Sequence, residues 1–157
     1  MEARKTGQSK AGDWRNYNRV LLPGVKDLHK LEVYEAEGGY QAFRDVVNSE
    51  NWNPKSVTDE VQRSGLRGRG GAGFPCGLKW TFMPPVDESI PRFLCCNGDE
   101  SEPGTFKDRQ LMEYNPHLIF EGMLIASYAM SIKTAYLYVR GEFADWIDHM
   151  EAELEKA

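Results

Sequence analysis

RFLCCNGDESEPGTFKDRQLMEYNPHLIFEGMLIASYAMSIKTAYLYV, residues 92–139, is the stretch on which the fold turns. It opens with Arg92 to Asn97, an apolar run of strand length that reads as a short buried strand, with Cys95 and Cys96 as small apolar residues inside it. It closes with Thr134 to Val139, rich in aromatic and β-branched residues, which reads as a second strand. Between them, Gly98 to Gly104 is a polar loop and Thr105 to Tyr114 is helical in pattern. Asn115-Pro116 then marks a helix start, with Asn as the cap and Pro in the first turn, where no N–H is needed. Leu118 to Met130 is apolar on nearly every side, which predicts a buried helix. Strand, helix and strand make a βαβ unit, and so predict parallel strands and an α/β fold.

On the C-terminal side, Phe143, Trp146, Ile147, Met150 and Leu154 fall on one helical face, and nothing in the chain follows to cover it. Two strands are too few for a stable doubly wound sheet, so the expected architecture is an incomplete Rossmann-like domain. On the N-terminal side, Gly39 to Asn48 places Tyr40, Phe43 and Val47 at amphipathic helical spacing. Asn53-Pro54 breaks the chain, and Ser56 and Thr58 are candidate caps for a short helix through Arg63, with Asp59 and Glu60 in its first turn. Residues 1 to about 38 carry little periodicity and turn formers such as Pro23-Gly24, and read as an irregular arm.

The bulk numbers narrow the class. With 41% hydrophobic and 27% charged residues, the 157-residue chain has globular composition, and its net charge of -5 argues against a nucleic-acid binder. No apolar run reaches the roughly 20 residues that span a bilayer, and Met1 to Lys10 lacks the apolar core of a secretory signal, which points to a soluble protein on the cytoplasmic side. The three cysteines (Cys76, Cys95 and Cys96) are odd in number and form no C-x-x-C pair, and His29, His117 and His149 are scattered. No metal site is therefore expected from this chain.

Two segments carry chemistry. Ser64 to Gly77 holds glycines 65, 68, 70, 71, 73 and 77, too many for a helix or strand interior. Glycines let successive N–H groups converge on an anion, while Arg67, Arg69 and Lys79 add positive charge and Phe74, Trp80 and Phe82 offer flat surfaces. Together they suit a ligand with a phosphate and a planar ring: a nucleotide or flavin. The segment lacks the strand that precedes a Rossmann fingerprint and has no G-x-x-x-x-G-K-[ST]. Competing readings are a flexible linker, disfavoured by the embedded Phe74, Pro75, Leu78 and Trp80, and an RNA-binding Arg-Gly segment, disfavoured by the net negative charge. The second segment, Asn97 to Thr105, follows the end of a strand, where open α/β sheets bind ligands. Its Asp99, Glu100 and Glu102 could accept hydrogen bonds from ribose or ribityl hydroxyls or an amide NH₂, and Asn97 can read an amide edge; a solvated acidic turn is the bland alternative.

Gly68 to Trp80 and Asn97 to Arg109 resemble two signature segments of the FMN- and NADH-binding flavoprotein family (the 51 kDa subunit) of respiratory complex I, NADH-quinone oxidoreductase, and its relatives in NAD-linked hydrogenases and formate dehydrogenases. The likeness extends from about residue 30 to 157; where the family usually has Thr, this chain has Cys76, also a small residue. The resemblance implies residues 1–55 as an N-terminal arm and helix, and 56–157 as a partial FMN/NADH-binding α/β domain. It implies FMN held by Gly68, Arg69, Gly70, Gly71, Lys79, Asn97, Asp99 and Glu100, and NADH as substrate held by Phe74, Lys79, Phe82 and Glu102. Hydride passes from NADH to the flavin, which carries the chemistry, so no catalytic side chain is implied. The implied partners are the thioredoxin-like [2Fe-2S] subunit and the large iron-sulphur subunit of the peripheral arm, with no nucleic acid and no direct membrane insertion. The implied place is the cytoplasmic face of the inner membrane, or the matrix side in a mitochondrion. The family's second flavin-binding segment and its [4Fe-4S] cysteines are absent from these 157 residues, so the chain reads as an N-terminal portion. The alternatives are a non-catalytic nucleotide-binding or assembly module, and a hydrogenase or formate dehydrogenase diaphorase.

With half of the flavin pocket missing, the chain by itself is expected not to oxidise NADH. Flavin retained after gel filtration and NADH-dependent ferricyanide reduction check this; stoichiometric FMN with rapid reduction would contradict it.

Overall fold

The computed structural model describes residues 20–157. The sequence readings for residues 1–19, among them the absence of a signal-like apolar core in Met1 to Lys10, lie outside the described residues. The elements in chain order are α1 (Leu31–Ala36), α2 (Gln41–Asn48), α3 (Pro54–Arg63), α4 (Cys76–Trp80), β1 (Phe93–Gly98), α5 (Lys107–Tyr114), α6 (Pro116–Ala129), β2 (Thr134–Val139), a 3-10 turn (Gly141–Phe143) and α7 (Ala144–Leu154).

The βαβ unit is as expected: β1 and β2 pair in parallel, in register from Phe93 beside Thr134 to Gly98 beside Val139, and the fold is α/β. β1 is not a buried strand, however. Phe93 and Cys95 are exposed, Leu94 and Cys96 are half-buried, and only Gly98 is buried. An apolar run reads the same whether one face or both are covered; here the helices cover one. Leu94, Leu137 and Val139 pack against the core clusters, while Phe93, Tyr136 and Tyr138 stand exposed on the opposite face.

The start of α6 falls at Pro116, but Asn115 does not cap it. Its Nδ2 donates instead to the Leu21 carbonyl (2.9 Å), and Pro116 alone suits the first turn. The same dipeptide at Asn53-Pro54 does form a full cap. Asn53 Oδ1 accepts from the Ser56 N–H (3.0 Å), and the Asn53 N–H donates to Ser56 Oγ (2.9 Å). Ser56 is thus the third helical residue of a capping box, not the cap itself, and the Thr58 hydroxyl donates back to the Pro54 carbonyl (3.0 Å). Asp59 and Glu60 fall beyond the first turn, where Asp59 pairs with Lys55. In α2, Val46 is buried and Val47 exposed, so the inward stripe is offset by one residue from the expected one.

The C-terminal helical face is largely covered. After the 3-10 turn, α7 folds back onto α5 and α6, and Phe143 and Met150 enter a core made with Leu28, Tyr34, Tyr40, Met112 and Phe120. Burying each large apolar side chain is worth about 1.5–3 kcal/mol. The cover comes from α5 and α6 together with the N-terminal arm, whose part the helical pattern of 143–154 cannot reveal. Leu154 remains exposed, and with Ile147 it lines a groove of about 850 Å³ along β2.

The arm contains an unexpected helix, α1, and it is locked down by buried polar groups. Glu121 of α6 accepts from the Tyr34 hydroxyl (2.6 Å), the Tyr40 N–H (3.0 Å) and the Phe43 N–H (3.3 Å), which satisfies donors at the start of α2. Glu153 of α7 accepts from the Leu31 N–H (3.1 Å), the first of α1, and from Lys156 (2.6 Å). His117 is fully buried between Tyr40, whose hydroxyl lies 2.9 Å from Nδ1, and Glu153, 3.4 Å from Nε2. With a carboxylate at Nε2, the neutral ring carries its proton there and accepts from Tyr40 at Nδ1. Burial pushes the Tyr40 phenol up to about 12, and burial with the hydrogen bond to Glu121 pushes Tyr34 up further.

This network makes stability fall in acid. Burial holds His117 below the ordinary imidazole range, against the opposing pull of Glu153, so the unfolded chain takes up its proton first. The stabilisation is complete above about pH 6.5 and declines as pH drops from there toward the folded value. Burial disfavours the Glu153 carboxylate, but its hydrogen bonds from Lys156, the Leu31 N–H and His117 outweigh this and hold it low. Its contribution is therefore present above the ordinary carboxylate range and is lost below it. The thermal midpoint should be lower at pH 5.5 than at pH 7.5, and His117→Gln should flatten that dependence; an unchanged slope in the variant would remove His117 from the account.

Candidate functional site

The glycine loop starts at a helix end. Ser64 terminates α3 and Gly65, at φ +69°, turns the chain out in the left-handed conformation usual just past a helix. Two backbone bonds then close a loop: Cys76 N–H to Leu66 O (2.8 Å) and Gly68 N–H to Phe74 O (2.9 Å). Arg67 crosses its mouth, donating to the Gly73 carbonyl (3.0 Å). At the tip, Gly71 and Gly73 have φ of +103° and +60°, which disfavours side chains there. A Cβ added at Gly70, Gly71 or Gly73 would meet nothing within 4 Å, so the space beside the tip is open. Gly77 differs: a Cβ there would come within 2.5 Å of the Gln62 backbone nitrogen, so glycine is what lets α4 lie against α3.

Around the loop, Arg69 and Lys79 are exposed and, among the described residues, have no ion-pair partner. Phe74 and Phe82 come together with ring centroids 6.0 Å apart, both exposed. Burial pushes the thiols of Cys76 and Cys96 up, so neither is an activated nucleophile.

The acidic loop leaves the C-terminal end of β1. Asn97 Oδ1 accepts from the Asp99 N–H (2.9 Å), and the Glu100 N–H donates to Gly98 O (3.0 Å), which bends the chain off the strand. Its three carboxylates part ways. Asp99 and Glu102 are exposed, whereas Glu100 turns inward, accepting from the Asp108 N–H at the start of α5 (2.7 Å) and from Arg109 Nε (3.1 Å). Arg109 also donates to the Thr105 carbonyl (2.7 Å), and Arg140, just beyond β2, donates to the Glu100 carbonyl (3.0 Å). Sequence reading overlooked both arginines. The signal was available in principle, since three carboxylates within four residues call for counter-charges. Among the described residues, no hydrogen bond or ion pair links the glycine loop to the acidic loop. Each is anchored separately: the first through α4 on α3, the second through α5 and the strand ends.

A parallel βαβ unit with a polar loop at the strand ends, preceded in the chain by a glycine-rich, cationic loop, defines a Rossmann-like α/β domain. Residues 61–157 match the family described as the Nuo51 FMN-binding domain, and the chain belongs to that family. It is similar to two NADH-quinone oxidoreductase subunits of Rhizobium meliloti (strain 1021), designated F 2 and F 1. The first is 48% identical over 143 residues, covering 90% of this chain and 33% of that protein. The second is 53% identical over 145 residues (90% and 32%). The NADH-quinone oxidoreductase subunit designated F in Aquifex aeolicus (strain VF5) is 50% identical over 126 residues (79% and 28%). The chain thus spans about a third of the length of the curated relatives it matches. Among solved structures, NAD+-reducing [NiFe]-hydrogenase in the air-oxidized state matches with a TM-score of 0.62 at 44% identity, covering 66% of this chain and 18% of that chain.

The close approach at Gly77 gives a direct test of how the loop is anchored. Gly77→Val should drive α4 off α3 and cost about 1–3 kcal/mol of stability, measured by urea unfolding. A variant as stable as the parent would show that α4 does not rest on α3 through this glycine.

Proposed function

We propose that this chain supplies the FMN site, and part of the NADH site, of an NADH-oxidising flavoprotein subunit of the NADH-quinone oxidoreductase type. The observation that carries this reading is that the family match, 61–157, takes in both loops, one bringing cations for a phosphate and the other hydrogen-bond acceptors for ribityl hydroxyls and a ring N–H. The residues present fit such a group. The glycine tip leaves open space at Gly70 and Gly71, and Arg69 and Lys79, without an ion-pair partner among the described residues, bring positive charge for a phosphate. In this reading the N–H groups of Arg69, Gly70 and Gly71 hold the phosphate, while the Gly68 N–H closes the loop beside them on the Phe74 carbonyl. Asn97 and Asp99 hold polar groups of the ribityl chain or ring edge. Glu100, its carboxylate engaged by Asp108 and Arg109, shapes the loop that borders the cofactor. Phe74 and Phe82, with Lys79, receive the dinucleotide, and Glu102 binds its nicotinamide half. Residues 56–157 are the partial FMN/NADH-binding domain of this reading, and residues 1–55 its N-terminal arm and helix. Bound FMN would supply hydride acceptance and one-electron release; the side chains bind, orient and exclude water, and none transfers a proton.

As partners we propose the thioredoxin-like [2Fe-2S] subunit and the large iron-sulphur subunit of a complex I peripheral arm, with quinone as the final acceptor. The proposed place is the cytoplasmic, or mitochondrial matrix, side of the membrane. Among the described residues no helix is long and apolar enough to cross a membrane. A second reading, a diaphorase subunit of an NAD-linked hydrogenase, is favoured by the likeness to the NAD+-reducing [NiFe]-hydrogenase.

Gly70 supplies the test. It has neither a left-handed φ nor, among the described residues, a neighbour that a Cβ would meet, so a side chain there would be felt by a bound ligand and not by the fold. Gly70→Val should leave the thermal midpoint unchanged and weaken FMN binding about tenfold or more, followed by quenching of flavin fluorescence. Equal affinity in the variant, or no quenching by the parent chain, would sink the reading.

A further inference from the structure

We infer that Arg140 is a positioning residue for the cofactor, holding the acidic loop at the ends of the two parallel strands in the shape that receives a phosphate-bearing flavin. The inference rests on the proposed FMN site and adds a residue to it. Arg140 follows β2 directly, and its neighbour Val139 pairs with Gly98, the last residue of β1, so the register brings its guanidinium to the root of the acidic loop. There Nη1 donates to the Glu100 carbonyl (3.0 Å), and Nε lies 3.7 Å from the Asp99 carboxylate. Arg109 takes the Glu100 side chain on the other side, so two arginines grip a single residue, one by its peptide oxygen and one by its carboxylate.

The grip answers an electrostatic problem. Asp99, Glu100 and Glu102 lie within four residues of one another, and both FMN and a dinucleotide bring further negative charge. A cation at Asp99 that also fixes the backbone of Glu100 lowers the repulsion and keeps Asp99 aimed outward. The side chain is mostly shielded, 29% exposed, which limits screening. A planar guanidinium can hold a carbonyl and a carboxylate together, whereas an ammonium is a point charge. Glu142 also pairs with Arg140 but is 67% exposed; it is a surface partner with no bond to the loop.

The test uses the full chain with Arg140→Gln, Arg140→Lys and Glu142→Gln. Amide hydrogen exchange is measured without ligand, and FMN affinity by flavin fluorescence. Arg140→Gln should speed exchange across residues 99–105 about tenfold or more while the amides of α6 keep their protection, and should weaken FMN binding by a similar factor. Arg140→Lys should recover part of the affinity and less of the protection, which separates charge from grip and covers the case in which the Gln variant does not fold. Glu142→Gln should change neither. Unchanged exchange at 99–105 in Arg140→Gln overturns the inference, as does faster exchange with full FMN affinity. If the parent chain binds no FMN, the proposed function fails on its own, and the exchange measurement alone decides whether Arg140 holds the loop.

Discussion

Helices α1 and α2 begin without a capping side chain of their own, and their leading N–H groups are met by carboxylates from far along the chain, Glu153 for Leu31 and Glu121 for Tyr40 and Phe43. Helix starts need acceptors, and a buried carboxylate needs donors. Here each solves the other's problem across the interface. The consequence for packing is that the arm cannot drift from α6 and α7 without stranding two carboxylates. Tyr34 and Tyr40 are thereby held as the lid of the core that also buries Phe143 and Met150. The helices that back the sheet are fixed by this contact, and through them the strand ends from which the acidic loop departs.

Around that frame the two loops are built by opposite means. The glycine loop is made of backbone: two cross-loop hydrogen bonds, two residues of positive φ at the tip, and a glycine at position 77 that lets its helix lie close to α3. The acidic loop is made of side chains, with Glu100 turned inward as a post and arginines on either side. One loop offers N–H groups and cations, the other carboxylates and an amide. A ligand with an anionic end and a polyhydroxyl or amide-bearing end matches that division, which is why membership of an FMN-binding family and the geometry lead to the same reading.

Much of this could be read from residue order. The βαβ unit was visible because the hydrophobic period changes from strand to helix and back, and because Asn115-Pro116 marks the boundary. The glycine loop was visible because no regular element tolerates six glycines in fourteen residues. What escaped depends on contacts distant in sequence. α1 is only six residues long and is capped by a residue 122 positions away, so LEVYEA carries no local start signal. Phe93-Leu94-Cys95-Cys96 has the composition of a buried strand, and whether one or both faces are covered is decided by neighbours. Asn53-Pro54 and Asn115-Pro116 are the same dipeptide, yet only the first Asn caps, because the second is claimed by Leu21. The role of Arg140 was hidden because it reaches a partner forty residues back.

The parallel pairing of β1 with β2 also fixes an order of assembly. Phe93 meets Thr134 only after the whole segment between them has been brought round, so every sheet bond closes a long loop and its entropy must be recovered from contacts made beforehand. Those contacts are the helical ones, since α5 and α6 adjoin in sequence and pack locally. The sheet, and with it the strand-end loop that carries Asn97 and Asp99, is therefore a late product of folding. Substitutions there will speed unfolding more than they slow refolding.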